Sequence, residues 1–92
     1  PHTSIVDMIN SKLKVYPNPT DADVTIEFTS LINKDIGIKI VNVLGDRIFE
    51  ERLYNFKGEF NEKIRLSEYT KGIYFLQIET DEGVIIKKLI LQ

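Results

Sequence analysis

The sequence predicts an all-β domain of seven antiparallel strands, and three features of it carry that prediction. Apolar residues alternate with polar ones at a period of two nearly throughout the chain. Turn-forming clusters recur every ~8–12 residues, the spacing of a β-sandwich. No long amphipathic run is present to cross between parallel strands. The 92 residues make one domain, and 42% of them are hydrophobic. A chain of this length buries only about 60–65% of the surface its unfolded form exposes, so the core has to be efficient.

A short strand at Leu13–Tyr16 opens the series. Val24-Thr25-Ile26-Glu27-Phe28 then alternates cleanly, with Val24, Ile26 and Phe28 facing inward. In the next run Ile36, Ile38, Ile40 and Asn42 share one face, and Lys39, Val41 and Val43 the other. The turn Leu44-Gly45-Asp46-Arg47 follows, where Gly45 supplies the positive φ that a tight hairpin often needs. Ile48 to Tyr54 returns antiparallel, and Phe60, Glu62, Ile64 and Leu66 mark a further strand. Gly72 to Glu79 is apolar on both faces, which places it centrally. Thr80-Asp81-Glu82-Gly83 turns into the last strand, Val84 to Leu91. This arrangement is immunoglobulin-like. The only helix-like stretch is Ser67 to Lys71, a single turn that Ser67 caps and Gly72 releases. Residues 1–12 are mixed and poorly periodic. They read as a linker from an upstream cargo, with the domain at 13–92. The chain opens on Pro1 rather than Met and reads as a piece of a longer polypeptide, with any export signal further upstream.

Composition excludes several function classes. The sequence contains no cysteine, which removes disulfides, thiolate metal sites and cysteine nucleophiles. The net charge of −2, from 12 basic and 14 acidic residues, gives no electrostatic reason to expect a nucleic-acid partner. No stretch approaches the ~18 consecutive apolar residues of a membrane-spanning helix.

No catalytic constellation can be assembled, and the chain is expected not to be an enzyme and to need no cofactor or metal. His2 lies in the expected linker, without the packing that a catalytic histidine requires. Glu50, Glu51, Glu59 and Glu62 read as solvated strand faces rather than a glycosidase pair, because no tryptophan is present to build a sugar platform. Asp21 and Asp23 have the spacing of some calcium loops but not their continuation, and read as support for the turn before Val24. Asn18-Pro19-Thr20 is excluded as a glycosylation acceptor by its proline. Tyr16, Tyr54, Tyr69 and Tyr74 read as core and corner residues.

Four segments, taken in order, resemble the C-terminal sorting domain of type IX (Por) secretion systems, in its type A form. Lys14-Val15-Tyr16-Pro17-Asn18-Pro19-Thr20 is similar to the family's opening motif. Ile40 to Ile48, with Gly45 at its turn, resembles the family's strand–glycine–basic–apolar hairpin. Leu66 to Phe75 resembles its Leu-Ser motif leading to Gly-x-Tyr, here Gly72 and Tyr74. Ile86-Lys87-Lys88-Leu89-Ile90-Leu91 is similar to its basic-then-apolar terminal strand. The chain stops one residue after that strand, where a sorting domain is expected to end its parent protein. The resemblance implies that a cargo on the N-terminal side passes through the periplasm and is recognised by the type IX translocon. The cargo then crosses the outer membrane to the cell surface or the medium. A sortase-like cysteine peptidase would remove the domain there, with residues 1–12 as the place to look for the cut. The alternatives are a carbohydrate-binding sandwich on an exported enzyme or adhesin, and a passive fibronectin-like spacer.

Several motif residues have physical readings as well. Pro17 and Pro19 fix φ and remove two donors, which keeps that segment out of a central strand. Gly72 permits a bend that a Cβ would resist. Tyr74 should bury its ring and hydrogen-bond its hydroxyl. Lys87 and Lys88 are neighbours on a strand, so one of them must point to the side that a sandwich normally buries. An edge strand uses such a lysine against aggregation. A translocon component docking on that strand would use it for recognition.

Overall fold

The computed structural model describes residues 4–92. The elements are α1 (Ile5–Lys12), β1 (Lys14–Tyr16), β2 (Asp23–Asn42), β3 (Arg47–Arg65), β4 (Gly72–Thr80) and β5 (Gly83–Leu91). The fold is mostly β, one antiparallel sheet of five strands in the order β1-β2-β4-β5, with β3 also paired to β2.

Five strands stand where seven were predicted, because two pairs of predicted strands are continuous. The runs at 24–28 and 36–42 are the two halves of β2, and those at 48–54 and 60–66 fall on the two halves of β3. A straight strand of 20 residues would reach about 66 Å. The longest dimension of the molecule is 40 Å, so the β2–β3 hairpin must bend. It does so at register shifts between Ser30 and Ile36. The Ser30 hydroxyl, buried at the bend, donates to the Ile32 carbonyl at 2.7 Å. Across the hairpin the Asn33 amide donates to the Asn55 carbonyl at 3.1 Å, and Asp35 accepts the Asn55 N–H at 2.8 Å.

The first half of β2 pairs with β1 and with the second half of β3. Its second half pairs with β4 and with the first half of β3. Val24, Ile26 and Phe28 from one half and Ile36, Ile38 and Ile40 from the other join one buried cluster with Leu76, Ile78 and Leu89. The Phe28 and Phe60 rings stack at 4.9 Å, with Phe56 edge-on to both.

The N-terminal segment differs from its reading as a linker. Residues 5–12 form α1, with Ile5 and Ile9 in the core at 2% and 0% exposure. Ser4 caps the helix by accepting the Asp7 N–H at 3.1 Å. An isolated helix of eight residues would not persist in water, so its docked face holds it. Each buried isoleucine contributes about 1.5–3 kcal/mol to that docking. Residues 1–3, and with them His2, lie outside the described residues. Among the described residues no helix is long and apolar enough to cross a membrane.

Candidate functional site

Strand directions place several chain segments at one end of the molecule. β1 finishes there, the bent β2 both begins and ends there, β4 begins there and β5 finishes there. The Tyr16–Thr20 segment, the hairpin at 42–47, the turn at 66–72 and the residues 88–92 therefore meet. These belong to the four segments that the sequence singled out.

Asn18 joins the first segment to the fourth. Its side-chain amide donates to the Lys88 carbonyl at 2.8 Å, and its Oδ1 accepts the Ile90 N–H at 3.1 Å. The carboxamide thus occupies the place of one residue of a neighbouring strand. Thr20 continues the pairing. Its N–H donates to the Ile90 carbonyl at 2.9 Å, and its carbonyl accepts the Gln92 N–H at 2.8 Å. The end of β5 would otherwise carry unpaired backbone groups. The peptide bonds preceding Pro17 and Pro19 are both cis, and both prolines are exposed. Tyr16, 44% exposed, donates its hydroxyl to Glu27, and that carboxylate holds the phenol above its ordinary range.

Thr20 also makes the turn that was assigned to Asp21 and Asp23. Its buried hydroxyl donates to the Asp23 carbonyl at 2.5 Å and accepts the Ala22 N–H at 3.2 Å. Sequence reasoning passed over this threonine.

At the hairpin, Gly45 has φ +86°, which a residue with a Cβ adopts only under strain. Asn42 organises the turn, its Oδ1 accepting the N–H groups of Leu44 and Asp46, each at 2.9 Å. The third segment abuts this hairpin. Tyr69 donates its hydroxyl to the Ile48 carbonyl at 3.1 Å, and an open groove of about 280 Å³ runs between Leu44, Tyr69 and Ile73. Gly72, at φ +148°, releases the chain into β4 opposite Leu91. Tyr74 is 5% exposed and its hydroxyl donates to the Thr70 carbonyl.

β5 is an edge strand, and its two faces differ. Ile85, Leu89 and Leu91 are buried on the inner side. Lys87 shares that side by alternation, opposite buried Leu76, yet on this edge strand it is exposed. Lys88 faces outward opposite Phe75, with Ile86 and Ile90 on either side along its strand and Ile73 opposite Ile90. Val41 pairs with Phe75 from β2 and is buried on this outer face, apart from the main core. Lys88 therefore stands in the middle of an outward apolar surface. Neither lysine forms an ion pair among the described residues.

Two ionisable groupings lie elsewhere. Glu51 and Glu62, expected on solvated faces, are both half-buried on β3. Desolvation raises the Glu62 carboxyl above its ordinary range, and the neighbouring Glu51 raises it further. At the opposite end from Asn18, Lys34 lies 2.8 Å from Asp81 and 3.0 Å from Glu82. Hydrogen bonding to Lys34 holds both carboxyls below their usual range and the Lys34 ammonium above its own. Glu82 also accepts the Ile5 N–H at 3.1 Å.

A family model described as a secretion system C-terminal sorting domain matches residues 14–92, from β1 to the end of β5 and beyond. No curated protein matches the chain.

Proposed function

This chain belongs to the family of type IX secretion C-terminal sorting domains, and we propose that the end of the molecule around Asn18 and β5 is the face that the translocon reads. The family is one of sorting signals rather than enzymes, and its members direct export to the cell surface or the extracellular space. The reading is supported by one observation above the others. Segments far apart in sequence, at 16–20, 42–47, 66–72 and 88–92, gather at one end, beside an apolar outer surface centred on Lys88.

In this reading Tyr16, Pro17, Asn18 and Pro19 hold the edge of β5 in place, and Gly45, Gly72 and Tyr74 shape the surface beside it. Leu89 anchors β5 from within, at 1% exposure. Lys87 and Lys88 are the contacts offered outward. The cargo is carried on the N-terminal side of the domain and reaches the translocon from the periplasm. A sortase-like cysteine peptidase then removes the domain at the surface. The bent β2–β3 hairpin, with both of its halves feeding one core, favours an immunoglobulin-like sandwich as the fold relationship.

The test replaces Lys87 and Lys88 together by alanine in a domain fused to a periplasm-directed reporter. Most of the export should be lost while the purified variant keeps the unfolding temperature of the wild type. Export at the wild-type level would remove the recognition role of the lysines.

A further inference from the structure

We infer that the open part of the β5 edge, from Val84 to Lys88, takes an extended acidic segment of the translocon as an added strand. The inference rests on the reading that the translocon reads this face, and it names the mode of contact there.

In an antiparallel pair, alternate residues of a strand turn their backbone groups toward the partner and the residues between turn theirs away. The bonds to Asn18 and Thr20 show which residues of β5 turn away from β4. The Ile90 N–H donates to Asn18, the Ile90 carbonyl accepts from Thr20, and the Lys88 carbonyl accepts from Asn18. Ile86 and Val84 continue the same parity, so their N–H and carbonyl groups face outward as well. Among the described residues these groups have no partner, and neither has the Lys88 N–H. The cap from the Asn18 segment therefore stops at the Lys88 carbonyl and leaves the edge before it open. At about 3.3 Å per residue the open stretch is about 13 Å long, room for an added strand of about five residues.

The side chains along this stretch set the chemistry of the occupant. Lys87 and Lys88 leave opposite faces of the strand, both exposed and without an ion pair among the described residues. Val84 and Ile86, 47% and 56% exposed, lie beside Lys88 on the outer face. An acidic strand laid along the edge meets a cation on each face and apolar side chains between them. A second copy of this chain would instead bring the lysines of both copies onto one short ladder, where like charges repel. The lysines thus guard the edge against its own kind and leave it to a partner of opposite charge. Main-chain bonds supply the affinity of such pairing, and the flanking side chains its specificity.

The test uses proline, which removes a donor and is accepted on an edge strand where that donor faces outward. Ile86→Pro deletes an N–H turned away from β4 and leaves Ile85 and Lys87 paired with Ile78 and Leu76. Ile86→Ala loses the same side chain and keeps the N–H. Both are made in residues 1–92 fused to a periplasm-directed reporter. Export of Ile86→Pro should fall at least about fivefold below that of Ile86→Ala, the effect of one pairing group left unsatisfied. Both purified proteins should unfold cooperatively. Equal export of the two overturns the added strand. Should Ile86→Pro fail to fold, Val84→Pro against Val84→Ala makes the same comparison at the start of the strand, where proline is accepted. Lys87→Glu should be exported less than Lys87→Ala, and equal export overturns the acidic occupant. Sedimentation of the wild type should find a monomer. A dimer that Ile86→Pro abolishes would put a second copy on the edge and overturn the proposal. Wild-type reporter held in the periplasm of a competent host defeats the sorting reading itself, whereas export of the wild type and both Ile86 variants alike defeats only the added strand.

Discussion

Replacing Asn18 by alanine tests how the first and last motif segments are joined. The substitution removes one hydrogen bond to the Lys88 carbonyl and one from the Ile90 N–H. Each bond of this kind is worth about 0.5–1.5 kcal/mol net. Asn18 is exposed, so water replaces part of both, and the expected loss is about 1–2 kcal/mol. For a domain of this size that lowers the unfolding temperature by roughly 4–16 °C. Thermal unfolding followed by circular dichroism measures the shift. Amide exchange locates it: the Ile90 N–H should exchange faster, whereas Leu76 and Ile78 in the middle of β4 should slow or speed only with global stability. Asn18→Asp should be at least as damaging, because the carboxylate loses the donor and meets the Lys88 carbonyl instead. An Asn18→Ala protein with unchanged unfolding temperature and unchanged Ile90 exchange would refute the strand-surrogate role.

The charged groupings and the turn glycine give three further expectations. Glu62 has a raised folded-state pKa, so the folded protein loses stability as pH rises through that value. Glu62→Gln should therefore unfold at a higher temperature than the wild type at pH 7, by an amount that vanishes in acid once Glu62 is protonated. Asp81 and Glu82 have lowered folded-state pKa values. Their contribution is complete above the ordinary carboxyl range and is lost as pH falls through the lowered values. The Lys34 pKa is raised, so its contribution is complete below the ordinary amine range and lost as pH rises through the raised value. Removing the cation with Lys34→Met should flatten both limbs of a stability-against-pH curve, and unchanged limbs would contradict the assignment. Gly45→Ala has room for its Cβ but not the backbone for it at φ +86°. It should cost about 1 kcal/mol or slightly more in urea unfolding.

Much of this fold was legible because burial follows alternation closely. Val24, Ile26 and Phe28 were placed inward from period two alone, and each is at most 2% exposed. The strand count was not legible, because the polar run Asn33-Lys34-Asp35 interrupts the apolar alternation between Phe28 and Ile36. In the folded chain it is a bend within one strand, closed by its own Asn33 and Asp35 side chains on the Asn55 backbone of the partner strand. α1 was overlooked although Ser4 followed by Asp7 is a capping signal and Ile5 and Ile9 are one turn apart. Eight residues carry too little periodicity to stand out, and the helix owes its persistence to tertiary docking. The candidate site divides in the same way. The positive φ of Gly45 and the buried ring of Tyr74 follow from local rules. The contact of Asn18 with Lys88 joins groups 70 residues apart, and no local rule announces a side chain that stands in for a strand. The meeting of Glu51 with Glu62 required the bend in β3, which the sequence hides.

The central claim is that this domain is an export signal read at the face around Asn18 and β5. The direct measurement fuses residues 1–92 to a periplasm-directed fluorescent protein and compares a type IX-competent host with a strain lacking the translocon. The account predicts fluorescence on the surface or in the medium of the competent cells only. A fusion that stays in the periplasm of both would contradict it.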